Sequence, residues 1–290
     1  MMNQNKPSQG GVQEIESDEK PPAKFLLDES IRVMSFNVLS DDNAEHAWTE
    51  RKQKVASTIR FHRADVIGMQ EPSLAQIGDL IRILPEYQAV SGISLGENGQ
   101  DHDPIFFRKG RFELLDTGHF FLSPTPEVPS KGWDAKFPRA TVWVHLRDLK
   151  TQKSLFFFNT HFDYHGRESR DEGARLLRKR IGEIAGSAPF AVTGDFNLFP
   201  TLGGPETLKI LTDDSLPNPL VDAQTVTFHP HHGPTGTWSG FKEPGQPGVK
   251  PDCIFVSSTV SVYLHGILAD TFDGGFPSDH LPVFAEIALP

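Results

Sequence analysis

The chain has 290 residues, of which 37% are hydrophobic and 23% charged, with a formal net charge of −10; this is the make-up of a folded globular protein and excludes a disordered or fibrous one. The acidic balance argues against an extended duplex nucleic acid as partner, because Lys and Arg contacts supply most non-specific affinity for phosphates. The single cysteine, Cys253, excludes an intramolecular disulfide and any cysteine-rich zinc or iron–sulfur site, and no run reaches the ~20 apolar residues that span a bilayer.

Residues 1–29 are polar, lack an apolar h-region and read as a flexible tail ahead of one domain over 30–290. The location expected is cytoplasmic, or secreted if a signal peptide has been removed. IRVMSFNVLS (31–40) is a β-branched, apolar run, and Thr49 to Arg63 carries Val55, Ala56 and Ile59 at helical spacing. ADVIGMQE ends a second strand at Glu71. Ser73 then caps a helix whose apolar face is Leu74, Ile77, Leu80, Ile81 and Leu84. From Tyr87 to Leu149 the runs PIFFRK, FELLDTGHFFLS and ATVWVHLRDL, separated by Gly, Pro and charged loops, predict antiparallel strands. SLFFFNTHFD leads into a helix over 168–184, and FAVTGDFN into another around 205–211, so β-α-β-α recurs.

The recurrence has a measure: Asn37 to Glu71 and His161 to Asp195 are both 34 residues apart, and each pair marks the ends of two successive strands. Two similar halves with polar strand ends predict two sheets face to face, helices outside and a shared cleft along one edge.

In GDFN, Asp195 and Asn197 lie two apart at a strand end, so both side chains can face one site. An Asx turn would also account for this pair alone. Glu71 closes an almost continuous apolar run, where a carboxylate needs a cation or hydrogen-bond donors; a helix-capping contact is the alternative. PSDHLP sets Asp279 and His280 before a closing strand, and PDCIFV starts another with Asp252. One consistent arrangement has Asp279 on a metal and Asp252 accepting from His280, fixing its tautomer and raising its basicity. A polar turn between Pro277 and Pro282 is the simpler reading of that tripeptide.

FNVLS, MQEPS, NTHFD, GDFN, PDCIFV and PSDHLP, taken in this order from Ile31 to the C-terminus, resemble the signatures of the endonuclease/exonuclease/phosphatase superfamily. The segment from PIFFRK to GWDA resembles a bacterial branch of it. The resemblance implies an α/β four-layer α/β/β/α sandwich of two mixed, mainly antiparallel sheets, and dependence on Mg²⁺ or Mn²⁺, with one ion or two left open. It implies a metal site of Glu71 with Asn37 and Asp279. Asp195 would orient or deprotonate the attacking water, Asn197 would hold a phosphate oxygen, Asp252 and His280 would act at the phosphate, and His161 would stabilise it or assist the leaving group. Two positions depart from the pattern, with Phe107 and Cys253 where the family often has tyrosine. Independently of the family, oxygen donors suit a hard cation, and the absence of HExxH or paired cysteines argues against catalytic zinc.

Around this set, Asp101, His102 and Asp103 precede a site strand, and Asp163 and His165 flank His161; these could read substrate or be solvated loop residues. In the SKGWDAKFPRAT loop Arg139 could clamp a phosphate and Trp133 stack on a base or sugar, with core packing as the alternative for Trp133. RLLRKR (175–180) is expected to be a solvated helix face among nearby acids, and His229, His231 and His232 a surface loop. The function expected is a divalent-metal-dependent phosphodiesterase. The alternatives are a phosphomonoesterase on a sugar or inositol phosphate and a nuclease on single-stranded nucleic acid. A catalytically silent binding module is disfavoured because every catalytic position of the motifs is filled. Oligomeric state is not legible in the sequence.

Overall fold

A computed structural model describes residues 29–40, 45–91, 102–242 and 245–290. Residues 1–28 of the predicted tail, and Asp101, lie outside the described residues. Two six-stranded sheets form the centre. The first is built from β1 (Ile31–Asn37), β2 (Val66–Gln70), β3 (Tyr87–Val90), β4 (Ile105–Arg108), β11 (Ser261–Ile267) and β12 (Val283–Ala288), in the order β11-β12-β1-β2-β4-β3. The second contains β5 (Phe112–Phe121), β6 (Ala140–Asp148), β7 (Ser154–His161), β8 (Phe190–Asp195), β9 (Val221–Asp222) and β10 (Asp252–Val256), in the order β5-β6-β7-β8-β10-β9.

Each sheet has one parallel pair, β1–β2 and β7–β8, and the rest is antiparallel. A parallel pair needs a crossover, and α1 (Trp48–His62) and α3 (Arg167–Ala185) supply it. The two 34-residue intervals are these two crossovers. Alternation along the strands then separates three apolar layers. Val33, Val66, Ile105, Phe107, Val142, Phe157, Ala191, Ile254 and Val283 fill the space between the sheets. Met34, Phe36, Ile67, Met69 and Phe106 point the other way, onto α1 and α2 (Leu74–Ile83). Phe158, Phe190, Val192 and Phe255 do the same beneath α3 and α4 (Gly204–Thr212). The α/β/β/α sandwich expected from the motifs is therefore the fold.

Several sequence readings change in detail. Ser73 caps α2 in a full capping box with Gln76, as its position suggests. Leu74 and Ile81, however, are 62% and 45% exposed, so the buried stripe of that helix narrows to Ile77, Leu80 and Leu84. Within RLLRKR, Arg175, Lys179 and Arg180 make the expected surface ion pairs with Glu172 and Glu183. Arg178 is buried instead and donates to carbonyls of Ile210, Asp213, Leu216 and Pro217, closing the C-terminal end of α4. Phe107, where the family often has tyrosine, places its ring in the apolar layer between the sheets.

Candidate active site

The alternation that builds the intersheet core also builds the site above it. Ser35, Gln70, Asn159 and Thr193 occupy core-facing positions one step nearer the strand ends and form a buried polar layer. Gln70 Nε2 donates to Asn159 Oδ1 at 2.7 Å, Thr193 Oγ1 donates to the same atom at 2.9 Å, and Asn159 Nδ2 donates to the Met69 carbonyl at 2.7 Å. The Gln70–Asn159 and Asn159–Met69 bonds cross from one sheet to the other, and Thr193 braces Asn159 from the neighbouring strand of its own sheet. Two residues further along, the same faces present Asn37, His161 and Asp195, with Asp252 at the start of β10. The register places His161 opposite Asp195 and Asp195 opposite Asp252.

Glu71 and Asn197 both follow a strand end with left-handed backbone, φ of 70° and 51°. Non-glycine residues in this region carry strain that the surrounding structure must hold in place, and such residues cluster at functional sites. At Glu71 the turn redirects the side chain to Asn37, whose Nδ2 donates to Glu71 Oε1 at 2.9 Å and to Asp195 Oδ2 at 3.0 Å. The Asn37 oxygen accepts from the Leu39 N–H at 3.0 Å. Asn37 thus turns its nitrogen toward both carboxylates and links them.

His161 and Asn197 form the next side of the cleft. Arg139 Nη1 lies 3.0 Å from His161 Nδ1, and a guanidinium can only donate, so the neutral ring carries its proton on Nε2. That nitrogen sits 3.5 Å from Asp195 Oδ2 and 3.3 Å from Asn197 Nδ2, which is itself held by the Phe162 carbonyl at 2.8 Å. Burial, reinforced by the Arg139 charge, lowers the His161 pKa to about 4. His161 is therefore a neutral donor.

His280 is the opposite case. Its Nδ1 is 2.8 Å from Asp252 Oδ2, and its Nε2 is 3.8 Å from Asp195 Oδ2. Burial favours the neutral ring, but Asp252 and Asp195 outweigh it and hold the pKa well above the ordinary histidine value. Thr237 Oγ1 donates to the same Asp252 oxygen at 2.5 Å, and the Trp238 ring stands edge-on to His280 with centroids 4.9 Å apart. Asp195 stays ionised despite its burial because both histidines, the Asn197 N–H and Asn37 favour its charge.

Asp279 is partly buried, and its backbone carbonyl accepts from the Ser239 and Gly240 N–H groups. Its neighbour Ser278 binds the Asn37 carbonyl through Oγ at 2.7 Å, which ties this loop to β1. Asp163 accepts backbone N–H groups of His165 and Gly166 on one oxygen and of Phe137 on the other, with Arg139 Nε at 3.8 Å. It clamps the loop that holds Arg139, and the exposed His165 lies outside the cluster. Trp133 is half-buried in the same loop, with φ of 46°.

Sequence reasoning passed over Arg51, Thr237, Trp238 and the polar layer. Arg51 is buried and donates to the carbonyls of Val38 at 2.6 Å and Pro277 at 3.1 Å, joining the loops that carry Asn37 and Asp279. An arginine inside a helix gives no local sign of such a role. The polar layer does have a signal, since Ser35, Gln70, Asn159 and Thr193 interrupt apolar runs at core parity.

Ligand atoms of Glu71, His161 and Asp195 lie within 4.8 Å of one another, as do those of Asp195, Asp252 and His280. The second group is already joined by the His280–Asp252 hydrogen bond. In the first, the carboxylates are the groups able to coordinate a cation, because His161 turns an N–H toward them. Oxygen donors on this edge suit a hard divalent ion, and the Asp103 carboxyl beside them is held well above the ordinary carboxylate pKa by its burial first and then by the charges of Glu71 and Asp195. Carboxylates able to hold a cation, N–H donors able to meet an anion and a charged histidine, grouped at one edge of a four-layer sandwich, are the arrangement of a phosphoester hydrolase.

The comparisons with known proteins agree. The family model described as "Endonuclease/Exonuclease/phosphatase family" matches residues 34–280, and the chain belongs to this family. A mannosyl-6-phosphatase from Bacteroides thetaiotaomicron is 30% identical, with a TM-score of 0.82 over 90% of this chain and 100% of its own. A family protein from Bacteroides vulgatus is 32% identical, with a TM-score of 0.82 over 90% and 99%. The human nocturnin catalytic domain with bound sulfate, at 22% identity, TM-score 0.70 and coverage of 90% and 95%, shares the fold. A search of curated proteins finds no match. Among the described residues, no helix is long and apolar enough to cross a membrane.

Proposed function

We propose that this protein is a Mg²⁺- or Mn²⁺-dependent phosphomonoesterase acting on a sugar phosphate. The observation that carries the phosphate part is that His161 Nε2–H and the Asn197 amide, 3.3 Å apart, are both donors. They cannot satisfy one another and converge on a position that suits a phosphoryl oxygen. The sugar monoester is favoured over the diester expected from the motifs by the 30% identity to the mannosyl-6-phosphatase across its whole length.

Glu71 would ligate the cation, Asn37 would hold Glu71 and Asp195 apart, and Asp279 would support the site from the Ser278 loop. A bound divalent ion would neutralise phosphate charge and polarise the phosphorus–oxygen bonds. Asp195, ionised and central, orients the attacking water and takes its proton. His161 and Asn197 donate to phosphoryl oxygens. His280, kept protonated by Asp252, places a positive N–H beside the phosphate where charge grows in the transition state. Arg139 fixes the tautomer of His161 and stays one residue back from the phosphate.

The test is a panel of hexose 6-phosphates, inositol phosphates, p-nitrophenyl phosphate, bis-p-nitrophenyl phosphate and single-stranded oligonucleotides, each with Mg²⁺, Mn²⁺ or EDTA. Hexose phosphates are expected to turn over fastest, and EDTA to abolish all turnover. Faster hydrolysis of the diester or the oligonucleotides would return the substrate to the diester class, and full activity in EDTA would remove the metal from the reading.

A further inference from the structure

Among the described residues, Asp103 is a core-facing carboxylate at this edge that the mechanism above does not use. Its place follows from register. β2 and β4 pair as Val66↔Phe107, Ile67↔Phe106 and Gly68↔Ile105, and the Met69 N–H continues the ladder to the Pro104 carbonyl at 3.0 Å. One more step sets Asp103 opposite Gln70, next to Glu71. Asp103 shares the parity of Ile105 and Phe107, both in the intersheet layer, and Gln70 reaches across to Asn159 of the other sheet. The Asp103 side chain therefore points between the sheets, toward the edge that carries His161 and Asp195.

It is only 5% exposed, and its Oδ1 has no hydrogen-bond partner among the described residues. A buried carboxyl with no donor on one oxygen and two further carboxylates near it either keeps its proton or has a cation or its water against it. The Asp103 carboxylate is not grouped with Glu71 and Asp195 within the 4.8 Å that direct sharing of one ion requires. Water fills that gap naturally, because Mg²⁺ keeps several of its own waters when it binds protein.

We propose that Asp103 is a positioning residue for the cation, accepting hydrogen bonds from waters of an ion bound at Glu71 and so setting its affinity. This rests on the metal-dependent reading of the same site. Partners that act on a metal through its other ligands typically change its affinity 10–100-fold.

The experiment is Mn²⁺ binding without substrate, by isothermal titration calorimetry and by electron paramagnetic resonance of free Mn²⁺. It compares the wild-type chain with D103N, D103S and E71Q, each checked for a cooperative thermal transition. The wild type should bind and E71Q should not. D103N and D103S should bind about 10–100-fold more weakly. If D103N unfolds, D103S decides the matter. Equal affinity in a folded Asp103 variant and the wild type overturns the inference alone, and a raised KM for a sugar phosphate with unchanged Mn²⁺ affinity does so by assigning Asp103 to substrate. If the wild type binds neither Mn²⁺ nor Mg²⁺, the metal-dependent reading falls as well.

Discussion

Replacing Gly68 by alanine tests whether the polar layer sets the spacing of the two sheets beneath the site. A Cβ at position 68 would stand 2.0 Å from Thr193 Oγ1 and 2.2 Å from Asn159 Oδ1, where ordinary contact starts at 3.4 Å. The nearer oxygen would have to move by about 1.4 Å. Neither oxygen is a loose side-chain end, because the Asn159 oxygen accepts from both Gln70 and Thr193 and the Asn159 nitrogen is tied to Met69. Overpacking a filled core costs ~1–3 kcal/mol, and leaving a buried polar group unsatisfied costs a further ~1–3 kcal/mol. The expected loss is therefore about 2–6 kcal/mol, a large part of the ~5–15 kcal/mol that holds a domain folded. In urea, with a slope near 3 kcal/mol/M for a domain this large, the midpoint should fall by about 1–2 M at unchanged slope. Thr193→Ala in the same chain removes the nearer obstacle and should recover part of the loss. A midpoint within about 0.3 M of wild type, some 1 kcal/mol at that slope, would refute this account of the layer.

Asp195→Ala and His280→Ala should each lower kcat by about 10²–10⁴-fold, the range for a positioned acid or base, with a circular-dichroism melt close to wild type. Near-normal turnover by either variant on the preferred substrate would remove that residue from the mechanism. Asp252→Asn keeps the shape of the pair but takes away a charge that raises the His280 pKa against its burial. The alkaline limb of the kcat/KM profile should move to lower pH, and an unmoved limb would show that His280 does not act as the charged form. Asp134 lies outside α3 yet accepts the N–H groups of Ser169 at 2.7 Å and Glu168 at 3.2 Å, so it caps that helix. Asp134→Ala should cost about 1 kcal/mol at neutral pH. These backbone bonds outweigh burial and depress the Asp134 pKa below the ordinary aspartate value. Its contribution is thus present above that value and lost as pH falls through the lower folded one. A wild-type-minus-variant difference in urea stability that grew on acidification below pH 4 would contradict the assignment.

The strands and helices are legible because they are local. Val55, Ala56 and Ile59 announce a helix, and the run ending at Glu71 announces a buried strand, whatever the rest of the chain does. The site motifs are legible for a related reason: Asn37, Glu71, His161 and Asp195 stand at the ends of apolar runs, and Asp252 and Asp279 at or before the starts of others, where a polar group needs a partner. Exposure of Leu74 and Ile81 was not legible, since helical periodicity gives a stripe and not the width of the surface that covers it. Nor was the core position of Phe107, which depends on how many residues separate it from the strand end once the sheets are stacked.

By itself, then, the chain determined its elements, their pairing into two echoing halves and the residues at the strand ends, because parity and hydrophobic period act over a few residues. Only the tertiary structure decided what those residues become. Arg139 comes from the loop before β6 to fix the tautomer of His161, Asp252 reaches His280 across 28 residues of chain, and Asn37 meets Asp195 across 158. Charge state and hydrogen-bond direction depend on burial and on neighbours distant in sequence, so two histidines that look alike in the sequence take opposite protonation states in the fold.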